Sequence, residues 1–178
     1  MRINNLVLKW EIGGIIFVFT LGALLHFLFE WSGESAPVGV LASVNESVWE
    51  HFKQGFWPMC LYAVIEFRFI RNRVNNFFTA KAVAVYLMPL IMGVVFYAYT
   101  AVTGHHYLLV DILIFLVAII AGQLTSYTIL NLPKLARYTT VVSLILIFVL
   151  ALVIILFTYY PPHLPIFLDE TGFYGLPI

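Results

Sequence analysis

The chain has 178 residues, 62% of them hydrophobic and 10% charged, with nine basic and nine acidic side chains and no net charge. Soluble domains carry about a quarter charged residues, so this balance, with a mean hydropathy of +0.98, excludes an ordinary soluble domain and points to the lipid bilayer. No basic run offers a surface for nucleic acid, and a single cysteine, Cys60, leaves neither a disulfide framework nor a cysteine-based zinc site within the chain.

Arg2 and Lys9 precede a first apolar run, over about residues 10–31, long enough to cross a hydrocarbon core that needs ~20 residues. It has no small-residue cleavage signature, so it reads as a retained span rather than a signal peptide. His26 and Glu30 lie near its far end, and the small, polar stretch from Ser32 to Pro37 reads as a loop. There follows the polar focus of the sequence, Ser43-Val44-Asn45-Glu46-Ser47-Val48-Trp49-Glu50-His51-Phe52-Lys53. Ser43 with Glu46 three residues later fits a capping box. A second helix is expected over about 45–70, kinked at Pro58, because the apolar run beyond Lys53 is too short to span alone. An interfacial helix up to Trp57 followed by a short tilted span is the open alternative.

Three more spans are predicted, over about 79–102, 107–130 and 138–159. Arg68, Arg71, Arg73 and Lys81 flank the loop before the third, and Gly104-His105-His106 forms a short turn before the fourth. No hydrophilic block is long enough to fold separately, so residues 1–178 form one all-α, polytopic transmembrane helix bundle of about five spans. Eight of the nine basic residues fall on one side of this arrangement, which puts the N-terminus inside and the C-terminus outside by the positive-inside rule. The tail, about 160–178, is rich in proline and aromatic residues and is expected to fold back over the outer mouth as a lid. The competing expectation is that it lies along the headgroups.

In this topology all five histidines and seven of the nine acidic residues gather at the outer face. His26 and Glu30 are four apart, as are Glu46 and Glu50, so each pair is expected to share a helix face. Two such pairs on neighbouring helices are how bundles build carboxylate–histidine metal sites. The expected ligands are His26, Glu30, Glu50, His51 and Asp111. The metal is a divalent ion such as zinc or manganese, which nitrogen and oxygen donors suit. Glu46, Glu50 and Lys53 form the expected catalytic set, Glu46 as general base and Lys53 neutralising a carboxylate. A hydrolytic metal site is therefore the first functional reading. A proton- or cation-coupled transporter is the second, with Glu66 or the Gln123–Tyr127 patch continuing the path inward. A non-catalytic assembly partner is the third. Glu34, Asp169 and Glu170 read as solvated loop residues, and His105, His106 and His163 as headgroup- or water-facing, with His105 or His106 the alternative that completes the metal group beside Asp111. Gln123, Ser126 and Tyr127 read as hydrogen-bonding glue between helices.

The segments from His26 to Gly33 and from Val44 to Lys53, the second with the pattern Asn-Glu-Ser-x-Trp-Glu-His-x-Lys, occur here together with the Pro161-Pro162-His163 and Tyr174-Gly175 tail. In these the chain resembles an uncharacterised, domain-of-unknown-function family of small multi-pass bacterial integral membrane proteins. The resemblance implies the bacterial cytoplasmic membrane and brings no activity with it. Neither a His-Glu-x-x-His metalloprotease motif nor a Gly-x-Ser-x-Gly nucleophile elbow is present.

Overall fold

The computed structural model describes residues 5–176; Arg2 and Pro177, used in the sequence reading, lie outside them. Five α-helices follow one another: α1 (Asn5–Trp31), α2 (Val48–Ile70), α3 (Phe77–Thr103), α4 (Leu108–Leu130) and α5 (Arg137–Tyr159). Short 3₁₀ turns sit at Ala36–Val40 and Pro165–Phe167, and among the described residues there is no strand beyond one isolated bridge between Leu168 and Tyr174. Helices α1, α3, α4 and α5 are each long and apolar enough to cross a membrane. At ~1.5 Å per residue each covers more than the ~30 Å of a hydrocarbon core. The chain is a multi-pass membrane protein.

The second helix is less apolar because Glu50, Lys53, Glu66 and Arg68 lie within it, yet the first three are buried. It runs antiparallel to α1 along its length. Gln54 meets His26 near one end, Tyr62 meets Phe17 in the middle, and Phe69 stacks on Trp10 near the other. A Cβ on Gly22 would come within 2.5 Å of the Gln54 carbonyl oxygen, so only glycine lets the two backbones approach this closely. The helix is unbroken through Pro58, which disposes of an interfacial segment ending at Trp57.

Its start differs from the expected one near Asn45. Ser47 is the N-cap, in extended backbone, and its hydroxyl accepts from the Glu50 N–H at 3.4 Å. The Asn45 side chain accepts from the Ser47 N–H at 2.9 Å, an Asx turn that holds the preceding residues out of the helix. The Ser43–Glu46 capping box is not formed. Ser43 donates instead to the Glu50 carbonyl.

The middle of the bundle is an apolar layer that includes Val18, Met59, Met88, Phe115 and Ile119. The fifth helix packs mainly on α3, where Tyr86 donates to the Leu146 carbonyl and Ser143 to Thr79. Most of its other apolar side chains are exposed, as a lipid-facing surface requires. At one end, the Asn76 side chain closes the α4–α5 loop, donating to the carbonyls of Ile129 and Pro133 and accepting from the Leu135 N–H. This is the basic end; the other is the pocket end. There the tail turns back, burying Phe167 against Trp49 and Phe157, while Asn45 donates to the Gly175 carbonyl and Leu176 packs on the Phe29–Ala42–Val44 cluster.

Candidate metal site in an apolar cavity

The Ser47 cap divides the polar motif into two groups that face different ways. Glu46 lies before the cap, outside the helix, so the expected i,i+4 face with Glu50 does not exist. Its carboxylate reaches His26 of α1 and His51 of α2, each at 3.5 Å, one through each oxygen. The three side chains offer ligand atoms all within 4.8 Å of one another. The Glu46 side chain is 60% exposed and the two imidazoles are partly buried, so the group has an open side.

Hydrogen bonds fix the orientation of both rings. His51 Nδ1 lies 2.8 Å from the Ser47 carbonyl, which only an N–H satisfies. Neutral His51 therefore turns the lone pair of Nε2 towards a carboxylate oxygen, and two acceptors face each other until a proton or a metal ion enters between them. His26 Nδ1 lies 2.9 Å from the Gln54 side-chain nitrogen, which also donates to Ser43. Coordination through His26 Nε2 requires Gln54 to present its carbonyl instead, a rotation that leaves the amide's shape unchanged.

Glu50 and Lys53 take each other as partners, at 2.5 Å, with almost no exposure. The Lys53 ammonium also donates to the Gly39 and Ala42 carbonyls, at 2.7 and 3.0 Å, and the Glu50 carboxylate accepts from the Val44 N–H at 2.9 Å. The pair thus ties the α1–α2 connection onto α2, and neither residue is among those lining the adjacent cavity. Glu30 is exposed on α1, and the structure does not bring it to the His26–Glu46–His51 group.

That group stands at the edge of a cavity of about 410 Å³. Its walls are mainly apolar, with Phe19, Phe96, Ile114 and Phe115 among them, and its rim includes Phe27 of α1 and Leu108 and Ile112 of α4, all exposed. A second polar group lines the same cavity. Asp111 accepts from Tyr99 at 2.5 Å and pairs with His106 at 2.8 Å, and the other His106 nitrogen meets Glu170 of the tail. Both Asp111 oxygens are therefore engaged away from His26. The Asp111 hydrogen bond, reinforced by the Glu170 charge, holds the His106 imidazole above its usual range and favours the imidazolium. The sequence places His106 at the headgroups and Glu170 in a solvated loop; no spacing signals their contact, because the tail must dock first.

No curated protein and no solved structure matches the chain. A family model described as "Family of unknown function (DUF6512)" matches residues 1–176, and the chain belongs to that family.

Proposed function

We propose that the protein is an integral membrane hydrolase whose outward-facing site binds a divalent metal ion, zinc or manganese, through His26, His51 and Glu46. The observation that carries this reading is the convergence of three ligand atoms within 4.8 Å at the edge of a largely apolar cavity. Two imidazoles and one carboxylate form a donor set that catalytic zinc sites use, leaving a fourth position for water. A metal bound there would lower the pKa of its water towards ~7, and Glu46 would serve as ligand and, through its second oxygen, as the base that takes the proton. Asp111 and His106 face the same cavity as a polar anchor, while Glu50 and Lys53 hold the frame.

The apolar walls and the exposed α1–α4 rim suit a substrate that enters sideways from the bilayer, an amphiphile with an acyl chain and a hydrolysable ester or amide near its headgroup. The transport reading is less well supported, because the apolar layer around Met59, Met88 and Ile119 separates this cavity from the charged residues at the basic end. The test is hydrolysis of fluorogenic long-chain esters and amides by detergent-purified protein. Activity that a chelator abolishes, that added zinc or manganese restores and that Glu46→Gln lacks is the expected result. Activity untouched by the chelator, or none with any amphiphile tried, overturns the hydrolase reading.

A further inference from the structure

A second buried charged group among the described residues lies at the basic end, drawn from four helices. Lys81 of α3 hydrogen-bonds Glu11 of α1 at 2.9 Å and Ser126 of α4 at 2.9 Å, and ion-pairs with Glu66 of α2 at 2.5 Å. Ser126 in turn donates to Glu11 at 2.8 Å. None of the four is more than 2% exposed. Glu11 and His26 are fifteen residues apart on α1, so about 22 Å of helix separates this group from the pocket.

Its charges do not balance. Two carboxylates share one ammonium, and among the described residues no other charged side chain is placed against them. The remaining titratable groups nearby are phenols: Tyr62, which donates to the Trp10 carbonyl, and Tyr127 of α4. Polar atoms are also left over. One oxygen of Glu11 and Oε1 of Glu66 are buried without a hydrogen-bond partner, and so are both amide atoms of Gln123, which is wholly buried one turn from Ser126. Gln123 reaches the α1 backbone at Gly14, one turn from Glu11, and a Cβ there would lie 2.0 Å from its nitrogen and 2.8 Å from the Tyr62 ring. Both carboxylates converge on the Lys81 ammonium, at 2.9 and 2.5 Å. A carboxylate only accepts, so a hydrogen bond between the two requires that one of the pair carry a proton.

We infer that Glu11 and Glu66 together bind one proton at neutral pH, forming a buried intramembrane proton site clamped by Lys81 and Ser126. A single excess negative charge in a low-dielectric interior is costly, and taking up a proton removes it. A metal ion is the poorer occupant, because the Lys81 ammonium already fills the position between the carboxylates and repels a second cation. A proton needs no space. The group joins α1, α2, α3 and α4 in one place, so the proton is also a structural link across the bundle.

Infrared spectroscopy reads this directly, because a protonated carboxylic acid has a C=O stretch that a carboxylate lacks. The intact protein in detergent is expected to show one such band at neutral pH that shifts when glutamate is carboxyl-¹³C labelled. Glu11→Gln and Glu66→Gln should each abolish it, since either leaves one carboxylate for one ammonium. Ser126→Ala should keep it, and Lys81→Met should double its area. The labelling experiment needs no variant and stands even if a variant fails to fold. Absence of any glutamate band at neutral pH overturns the inference. So does a protein stabilised by sodium over choline without such a band, an outcome that would make the occupant a metal ion.

Discussion

Replacing Lys53 by methionine separates a framework role from a catalytic one. The ammonium is fully buried and makes three contacts, to Glu50 at 2.5 Å and to the Gly39 and Ala42 carbonyls at 2.7 and 3.0 Å. Lys53→Met keeps most of the volume and leaves a 1%-exposed carboxylate without its counter-ion. Breaking a buried pair from one side costs about 3–5 kcal/mol. Each stranded carbonyl adds about 1–3 kcal/mol unless water reaches it. These terms are not additive, and about 5 kcal/mol is the expected loss. Glu50→Gln retains an acceptor for Val44 and should cost less, about 3 kcal/mol. The double variant removes both charges and should be more stable than Lys53→Met alone by about 2 kcal/mol. Equilibrium unfolding in mixed micelles measures the cycle, and limited proteolysis within residues 36–44 reports whether the connection has come loose. A Lys53→Met protein as stable as the parent, with that segment still protected, would refute the framework role.

Other substitutions probe the site and the packing around it. Gln54→Leu removes the partner that orients His26 and should weaken zinc binding by roughly 10–100-fold without removing a ligand, as read by competition with a chromogenic chelator. Gly14→Ala forces a Cβ against Gln123 and the Tyr62 ring and should destabilise by about 1–3 kcal/mol in the same unfolding assay. The tail clasp should depend on pH. His106 titrates above its unfolded value near 6.5, so its stabilisation is fully present below that value and is lost as pH rises through the higher folded one. Proteolytic clipping after Tyr160 should accelerate over that rise in the parent protein, and Glu170→Gln should flatten the dependence.

Long apolar runs made four of the helices legible, because runs of that length with almost no charge have few other ways to hide. The second helix was legible only by arithmetic, its apolar run being too short alone, and its packing against α1 and α3 explains how it carries three buried charges. The motif is a polar focus in the structure as well, but its geometry differs from the expected one. Glu46 and Glu50 are four apart, but a helical face exists only where both residues are helical, and the Asn45–Ser47 turn sends them in different directions. That turn uses side chains as common in loops as in caps, so the choice between Ser43 and Ser47 rests on tertiary contacts. Lys81 was counted with the loop cations, yet it is one turn inside α3, at the level where Glu66 lies one turn inside α2. The hairpin joining these helices makes that pairing readable in retrospect. Glu11 and Ser126 were not readable in the same way, since their approach depends on how α1 and α4 pack.

Bound-metal analysis of the purified protein by elemental mass spectrometry reads whether His26, Glu46 and His51 hold a metal ion. Protein prepared in mild detergent with zinc and manganese added and excess removed should retain close to one ion per chain. His51→Ala should retain none, while the exposed Glu30→Gln retains as much as the parent. No retained metal in the parent protein, or retention unchanged in His51→Ala, would contradict the proposed metal site.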